Sequence, residues 1–392
     1  MIGYAVINFF YWFTYGAVIN FSSVYLLGNG FSNTQIGVLC AVAYVVSVLV
    51  QPGLAGYADK PHSPSLKVII MGFAGVLMGL AALLGLTFQK SMVLTAVFYG
   101  GTIVIMQILT PFINALGTES ARQGRKVNFS IARGIGSLGY AALCYSMGIV
   151  VDRYGAGMQP VCTVAIVAAL LISMGVYPFK KNGEGQPEKA DKQTHSGNPL
   201  LFFKKYKTFG LALVGCIFVY SSHIFLNNFT YQIVVTKGGG SSEMGTAMAI
   251  ASMVELPTMF LFTYMLRKAS SAFWFRICGI FFTLKALGSL LVGNMTGFYV
   301  VQIFQMFGWG LITVASVYYV DSIMQPEDKI KGQTYMTMSC TIASVIGSLT
   351  GGALIDWCGV NGMLVTATVS GLLGTIIMLL ATREGSHRAK KP

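Results

Sequence analysis

Twelve apolar windows, each about 20 residues long and separated by polar stretches, constrain this chain more than any other feature of its sequence. A helix of that length crosses a hydrocarbon core roughly 30 Å thick. Inside a bilayer every backbone donor and acceptor needs an internal partner, which leaves only helices or a closed barrel. Barrel strands would be alternating segments of about 10 residues, and these runs are too long and too continuous for that. The sequence therefore predicts an all-α membrane protein with twelve transmembrane helices near 5–27, 35–56, 67–87, 92–115, 128–151, 158–178, 209–235, 244–266, 272–292, 297–321, 333–355 and 361–381. A composition of 54% hydrophobic and 10% charged residues excludes an ordinary soluble domain.

Orientation follows from Lys and Arg. The even-numbered connections and the tail hold nearly all of the 26 basic residues, whereas the odd-numbered connections hold only Lys90, Arg153 and Lys237. The positive-inside rule then puts both termini in the cytoplasm of a multi-pass inner (plasma) membrane protein. The same asymmetry accounts for the formal charge of +13, because basic residues line the face where anionic lipids attract them. The lipid bilayer is thus the expected partner, and nucleic acid is not. Seven cysteines without paired spacing indicate neither a disulfide framework nor a metal site. No cofactor is implied, and a monomer suffices. The first apolar run has no basic stretch before it and is expected to remain in the mature protein.

Residues 180–207 are rich in Lys, Gly, Pro and polar side chains and separate six windows from six. The expected organisation is a bundle over 1–179, a cytoplasmic linker over 180–207, a second bundle over 208–382 and a tail over 383–392. The halves echo one another: Gly148, Asp152 and Gly155 in G-x-x-x-D-x-x-G recur as Gly352, Asp356 and Gly359. Two parallel six-helix repeats with a site between them near the midplane is a known transporter plan.

Three ionisable residues stand deep within apolar windows: Arg133, Glu255 and Lys285. Such residues face a partner or a watery cavity and are functional by default, since a bare charge at that depth costs roughly 2.5 kcal/mol or more. Glu255 is followed by Pro257, which removes a helix donor and opens the local backbone. A carboxyl there is a candidate to take and release a proton, or else a fixed ion-pair partner of Lys285 or Arg133. Arg133 either meets a ligand or snorkels toward the nearby loop. His223 titrates in a range suited to switching, though a lone histidine in an apolar helix also serves as a packing residue. Gln302, Gln305 and Trp309 are spaced to share one helical face, offering amides and an indole to a ring-bearing solute. The aromatic run Phe9–Phe13 is expected to pack or meet lipid.

The second window ends with Gly56, Asp59 and Lys60 in G-x-x-x-D-K, which resembles the signature that major facilitator transporters carry between their second and third helices. In that family the motif latches the outward-open state, with the glycine permitting close helix approach and the acid meeting a helix terminus. Gln51-Pro52, Asn128-Phe129, the run Ala132-Arg133-Gly134 through Gly139-Tyr140, Gln302 to Gly308, and Gly351 to Gly362 are together similar to the lactose permease and nucleoside symporter-like branch. The likeness covers nearly the whole chain and implies the major facilitator fold of two six-helix pseudo-symmetric bundles.

It further implies that Arg133 and Tyr140 contact solute, that Glu255 contacts solute and couples protons, and that Lys285 belongs to the coupling site. Departures accompany it. The branch's tenth-helix lysine, histidine and glutamate correspond to Gln302, Gln305 and Gly308, so Glu255 is left as the one deep acid. The fourth helix offers Asn114 where the branch has an acid, and the seventh offers His223, Asn227 and Asn228. The implied function is proton-coupled import of a sugar, oligosaccharide or nucleoside by alternating access. The coupling set is Glu255, Lys285 and His223, and the solute set is Arg133, Tyr140, Asn114, Asn227, Asn228, Gln302, Gln305 and Trp309. With two cations against one anion, a small aromatic carboxylate remains open as cargo, and so does proton-driven export of drugs or metabolites. No nucleophile with base and no phosphate loop points to an enzyme, and a membrane receptor is the remaining non-transport reading.

Overall fold

The computed structural model describes residues 2–58, 60, 62–179 and 199–383. Asp59, residues 180–198 of the expected linker and the tail from 384 lie outside them. All regular elements among the described residues are helical. Six spanning helices come first: α1 (Ile2–Tyr15), α2 (Asn33–Ala58), α3 (Leu66–Thr87), α4 (Met92–Arg122), α5 (Phe129–Tyr154) and α6 (Met158–Val176). Four more are α7 (Lys207–Asn228), α8 (Ser241–Met265), α9 (Ser271–Leu291) and α10 (Met295–Ile323). The last helical stretch, Lys329–Arg383, is too long for one crossing and breaks at Gly359, whose φ of 76° and ψ of 175° suit almost no residue but glycine. It therefore makes two crossings, α11 (329–358) and α12 (360–383), which brings the count among the described residues to twelve.

Local chemistry sets many of the helix starts. Ser65, Ser91, Ser270 and Asn294 each accept a hydrogen bond from a backbone N–H in the first turn that follows, which satisfies a donor the helix leaves free. Three spans depart from the straight helices predicted. The first runs on through a wide turn at Gly16–Asn20 into Ser22–Gly28, the seventh breaks at Phe229 before Thr230–Thr236, and α10 tightens into a 3-10 turn at Gln302–Met306. Before α7, Pro199–Lys205 is helical rather than open linker. Its Phe202 packs on Tyr206 and Tyr335, and its Lys205 pairs with Asp328 at 2.7 Å.

α1 packs on α5 and α6, and α3 packs on α4 and α6, while α7 and α9 pack on the α11–α12 pair. The two sets of six meet where α5 crosses α8 and α2 crosses α11. One apolar cluster belongs to each set, and a third, with Phe21, Tyr25, Phe229 and Met363, is shared. Hydrogen bonds between the sets gather at the midplane and at the end away from the termini. Ser252 Oγ donates to the Ser137 carbonyl at 3.1 Å, Ser23 Oγ to the Asn228 carbonyl at 2.5 Å, and Gln232 Nε2 to Asn33 Oδ1 at 2.8 Å.

Candidate functional site

Two of the three deep charges meet through an amide. Lys285 Nζ on α9 donates to Gln305 Oε1 at 2.6 Å, and Gln305 Nε2 donates to Glu255 Oε1 on α8 at 2.8 Å. Residue chemistry fixes which way the amide points, because an ammonium only donates and a carboxylate only accepts. The three side chains are 5%, 4% and 7% exposed, so each bond is made out of water. The 3-10 turn of α10 carries Gln305, and Gly310 lets α10 close on α8: a Cβ there would lie 3.1 Å from Glu255 Cα. The direct ion pair open to Glu255 in the sequence is absent. Among the described residues, neither Lys285 nor Arg133 comes within 4 Å of its carboxylate. Gln305, expected among the solute contacts, is instead the bridge of this cluster.

Arg133 lies on α5 in the other set. Its guanidinium carbon sits 3.9 Å from the centre of the Trp12 ring, and Nη1 donates to Ser137 Oγ at 3.1 Å. Gly136 makes room for the indole, since a Cβ there would lie 2.4 Å from Trp12 Cδ1. Ser137 carries the hydrogen bond from Ser252, three residues before Glu255 on α8, so Arg133 and Glu255 stand at one level of the α5–α8 crossing. They are also within electrostatic reach of one another. Tyr140 packs against Gly16 and bonds Cys144, and Tyr11 hydroxyl meets Thr110 Oγ1 at 2.5 Å.

His223 on α7 is stacked on Trp309, with centroids 4.6 Å apart and planes 16° apart, and meets the edge of Phe282. Its buried Nδ1 has no hydrogen-bond partner among the described residues, and Lys285 lies within electrostatic reach. The shared face expected for Gln302, Gln305 and Trp309 is divided. The 3-10 turn and the break at Gly308 aim the three differently, so Gln302 donates to the Phe298 carbonyl at 3.3 Å while Trp309 takes the histidine. Asn228 Nδ2 donates to Ser348 Oγ at 2.9 Å.

Other expected members stand apart. Asn114 is exposed on α4, and no hydrogen bond ties it or the Asn227 side chain to the cluster. Gly56 is exposed with open space where its Cβ would be, so the close helix approach expected at the latch motif is not made in this conformation. Lys60 is exposed, and Asp59 lies outside the described residues. Sequence reasoning missed Trp12, read only as part of an aromatic run, and Ser137. The one hint was Gly136, a glycine one turn from a half-buried arginine. A groove of about 720 Å³ lined by Phe218, Trp357, Val369 and Leu373 lies apart from the polar cluster, and its apolar lining suits lipid rather than a polar solute.

The MFS_1-like family model matches residues 1–364. The nucleoside transporter NupG superposes with a TM-score of 0.81 at 12% identity, covering 100% of this chain and 99% of that one. A bacterial homolog of the human lysosomal transporter Spinster, inward-facing and unoccupied, gives 0.71 at 15% identity over 100% and 98%. A POT family transporter in complex with a thioalcohol-conjugated peptide gives 0.70 at 13% identity over 99% and 96%. At these identities the likeness shows the fold. No curated protein matches the sequence.

Proposed function

The chain belongs to the MFS_1-like family of membrane transporters, and from that premise we propose that it imports a small polar solute (a sugar, oligosaccharide or nucleoside) together with a proton. The bundles 1–179 and 208–382 rock about a midplane site, joined by 180–207, with both termini in the cytoplasm of the inner membrane and one chain sufficing. The observation that carries the reading is the buried Lys285–Gln305–Glu255 chain. Glu255 spends one oxygen on the amide and keeps the other for a proton. An amide N–H donates to a carboxylate and, more weakly, to the carbonyl oxygen of a neutral acid, so the chain survives protonation while its net charge rises by one. That change in charge is what ties solute affinity to proton occupancy.

Arg133 on its indole, with Tyr140, forms the opposing solute surface, and His223 with Trp309 closes the site from the side of α7, the helix that also carries Asn228. Gly56, Asp59 and Lys60 latch the outward-open state. A second reading, import of a small aromatic carboxylate, is favoured by Arg133 having no acid within 4 Å among the described residues and an aromatic ring beneath it. Proteoliposomes with an imposed pH gradient, offered sugars, nucleosides and aromatic acids, separate the two. Accumulation of a neutral solute supports the first reading and accumulation of an acid supports the second. Gradient-driven expulsion would replace import with export.

A further inference from the structure

The repeated G-x-x-x-D-x-x-G segment lies outside the solute site, at the end of the bundle away from the termini. In its second copy the Asp356 carboxylate reaches from α11 to the start of α2. Oδ1 accepts from Asn33 N at 3.3 Å and Asn33 Nδ2 at 2.8 Å, and Oδ2 accepts from Thr34 N and Thr34 Oγ1, both at 2.7 Å. Two of these donors are first-turn N–H groups with no partner within their own helix, where negative charge is favoured. Glycines permit the approach: a Cβ on Gly352 would lie 2.1 Å from the Asn33 carbonyl oxygen, and one on Gly37 would lie 2.2 Å from that of Ser348. Asn33 is held in turn by Gln232.

The first copy makes the matching crossing of α5 and α8, and differs in one respect. A Cβ on Gly245 would lie 2.1 Å from the Cys144 carbonyl oxygen, and one on Gly240, just before α8, would lie 2.9 Å from Asp152 Oδ1. Here, however, α8 caps itself, as Gly240 N donates to Glu243 Oε2 at 2.8 Å. Asp152 abuts the terminus without bonding it. Both copies end on a glycine in the same conformation, φ 86° and ψ 164° at Gly155 against 76° and 175° at Gly359. The difference therefore lies in Glu243 and not in the turn.

We propose that Asp356 is a gate residue of the transport cycle, a carboxylate clamp that binds α2 and holds the outer end shut, with Asp152 its idle counterpart. The proposal rests on the alternating-access reading. The four bonds exist only where α2 and α11 touch, so they favour that state alone and shift the balance by their whole differential strength. The carboxylate is solvent-exposed, which limits the effect, and the expected change in the open-to-closed ratio is about tenfold, equal to about 1.4 kcal/mol.

The test uses the full chain with its seven cysteines replaced, in lipid nanodiscs, with spin labels at Lys90 and Gly293. These are exposed positions in the outer connections after α3 and α9. Pulsed dipolar distances should show mostly a short separation in the parent. In Asp356→Asn, which keeps side-chain size, the longer separation should gain about tenfold relative to the short one. Thr34→Val should move it the same way by less, and Asp152→Asn should leave it unchanged. Gly37→Leu, which wedges α2 from α11, is the control. If it yields the long separation while Asp356→Asn superposes on the parent, the clamp is wrong and alternating access stands. If neither variant yields it, both fall together.

Discussion

Lys285 reaches Glu255 only through the amide of Gln305, by bonds of 2.6 and 2.8 Å that no other side chain supplies to either ion among the described residues. One neutral residue thus satisfies two buried charges from two helices. A direct pair would be locked by its own Coulomb attraction, whereas charges held an amide apart attract less strongly and leave the carboxyl free to change its protonation.

Replacing Gln305 with Leu should therefore be costlier than replacing either ion. It leaves an ammonium and a carboxylate buried without partners, a situation that costs about 3–5 kcal/mol when one member of a buried pair is lost. The expected result is a marked fall in the thermal stability of detergent-solubilised protein. Glu255→Gln combined with Lys285→Gln should be less damaging than the sum of the two single changes, because the removed partners depend on each other. Thermal unfolding of the four variants checks this, and strict additivity would contradict it.

Trp12 makes a second prediction. Its ring lies 3.9 Å under the Arg133 guanidinium, and a contact of that kind contributes about 0.5–2 kcal/mol. Trp12→Ala should weaken solute binding by roughly 2- to 30-fold, and Trp12→Phe should recover part of the loss. Equilibrium binding titrations of the three proteins measure it.

The contact between Lys205 and Asp328 should respond to pH. Bonding to Lys205 holds the Asp328 carboxyl below the ordinary carboxylate range, and bonding to Asp328 raises Lys205. A depressed acid contributes stability above its unfolded value, and that stability is lost as pH falls through the folded one. A raised lysine contributes below its unfolded value and loses the contribution as pH rises through the folded one. The short helix Pro199–Lys205 should accordingly stay docked across neutral pH and loosen in acid, below the usual carboxylate range near 3.9. Hydrogen exchange of residues 199–206 against pH reads this directly, and Lys205→Ala should weaken the dependence, leaving the part carried by the Tyr206 hydroxyl, which donates to Asp328 Oδ2 at 3.0 Å.

The crossings were legible in the sequence because their signal is additive: about 20 apolar residues in a row declare a span whatever they pack against. The Gly359 break falls in the short gap left between the predicted windows 333–355 and 361–381. Arg133, Glu255 and Lys285 stood out because charge within an apolar window is rare. What joins them did not. Gln305 reads as an ordinary polar residue until a 3-10 turn at Gln302–Met306 swings it between α8 and α9, a turn not expected in a span that reads as regular helix. Trp12 is one ring among five consecutive aromatics, and only the gap at Gly136 selects it. Gly56 shows the converse: the motif was legible, but a Cβ at its glycine would meet nothing within 4 Å in this structure.

Glu255→Gln tests the account most directly. It keeps the shape of the side chain and an acceptor for Gln305 while removing the carboxyl to which we assign the proton. In proteoliposomes the parent should accumulate solute under an inward proton gradient and lose that ability with a protonophore. The variant should fail to accumulate solute yet still exchange it across the membrane when solute is present on both sides. Accumulation by Glu255→Gln equal to that of the parent would contradict the assignment of the proton to Glu255.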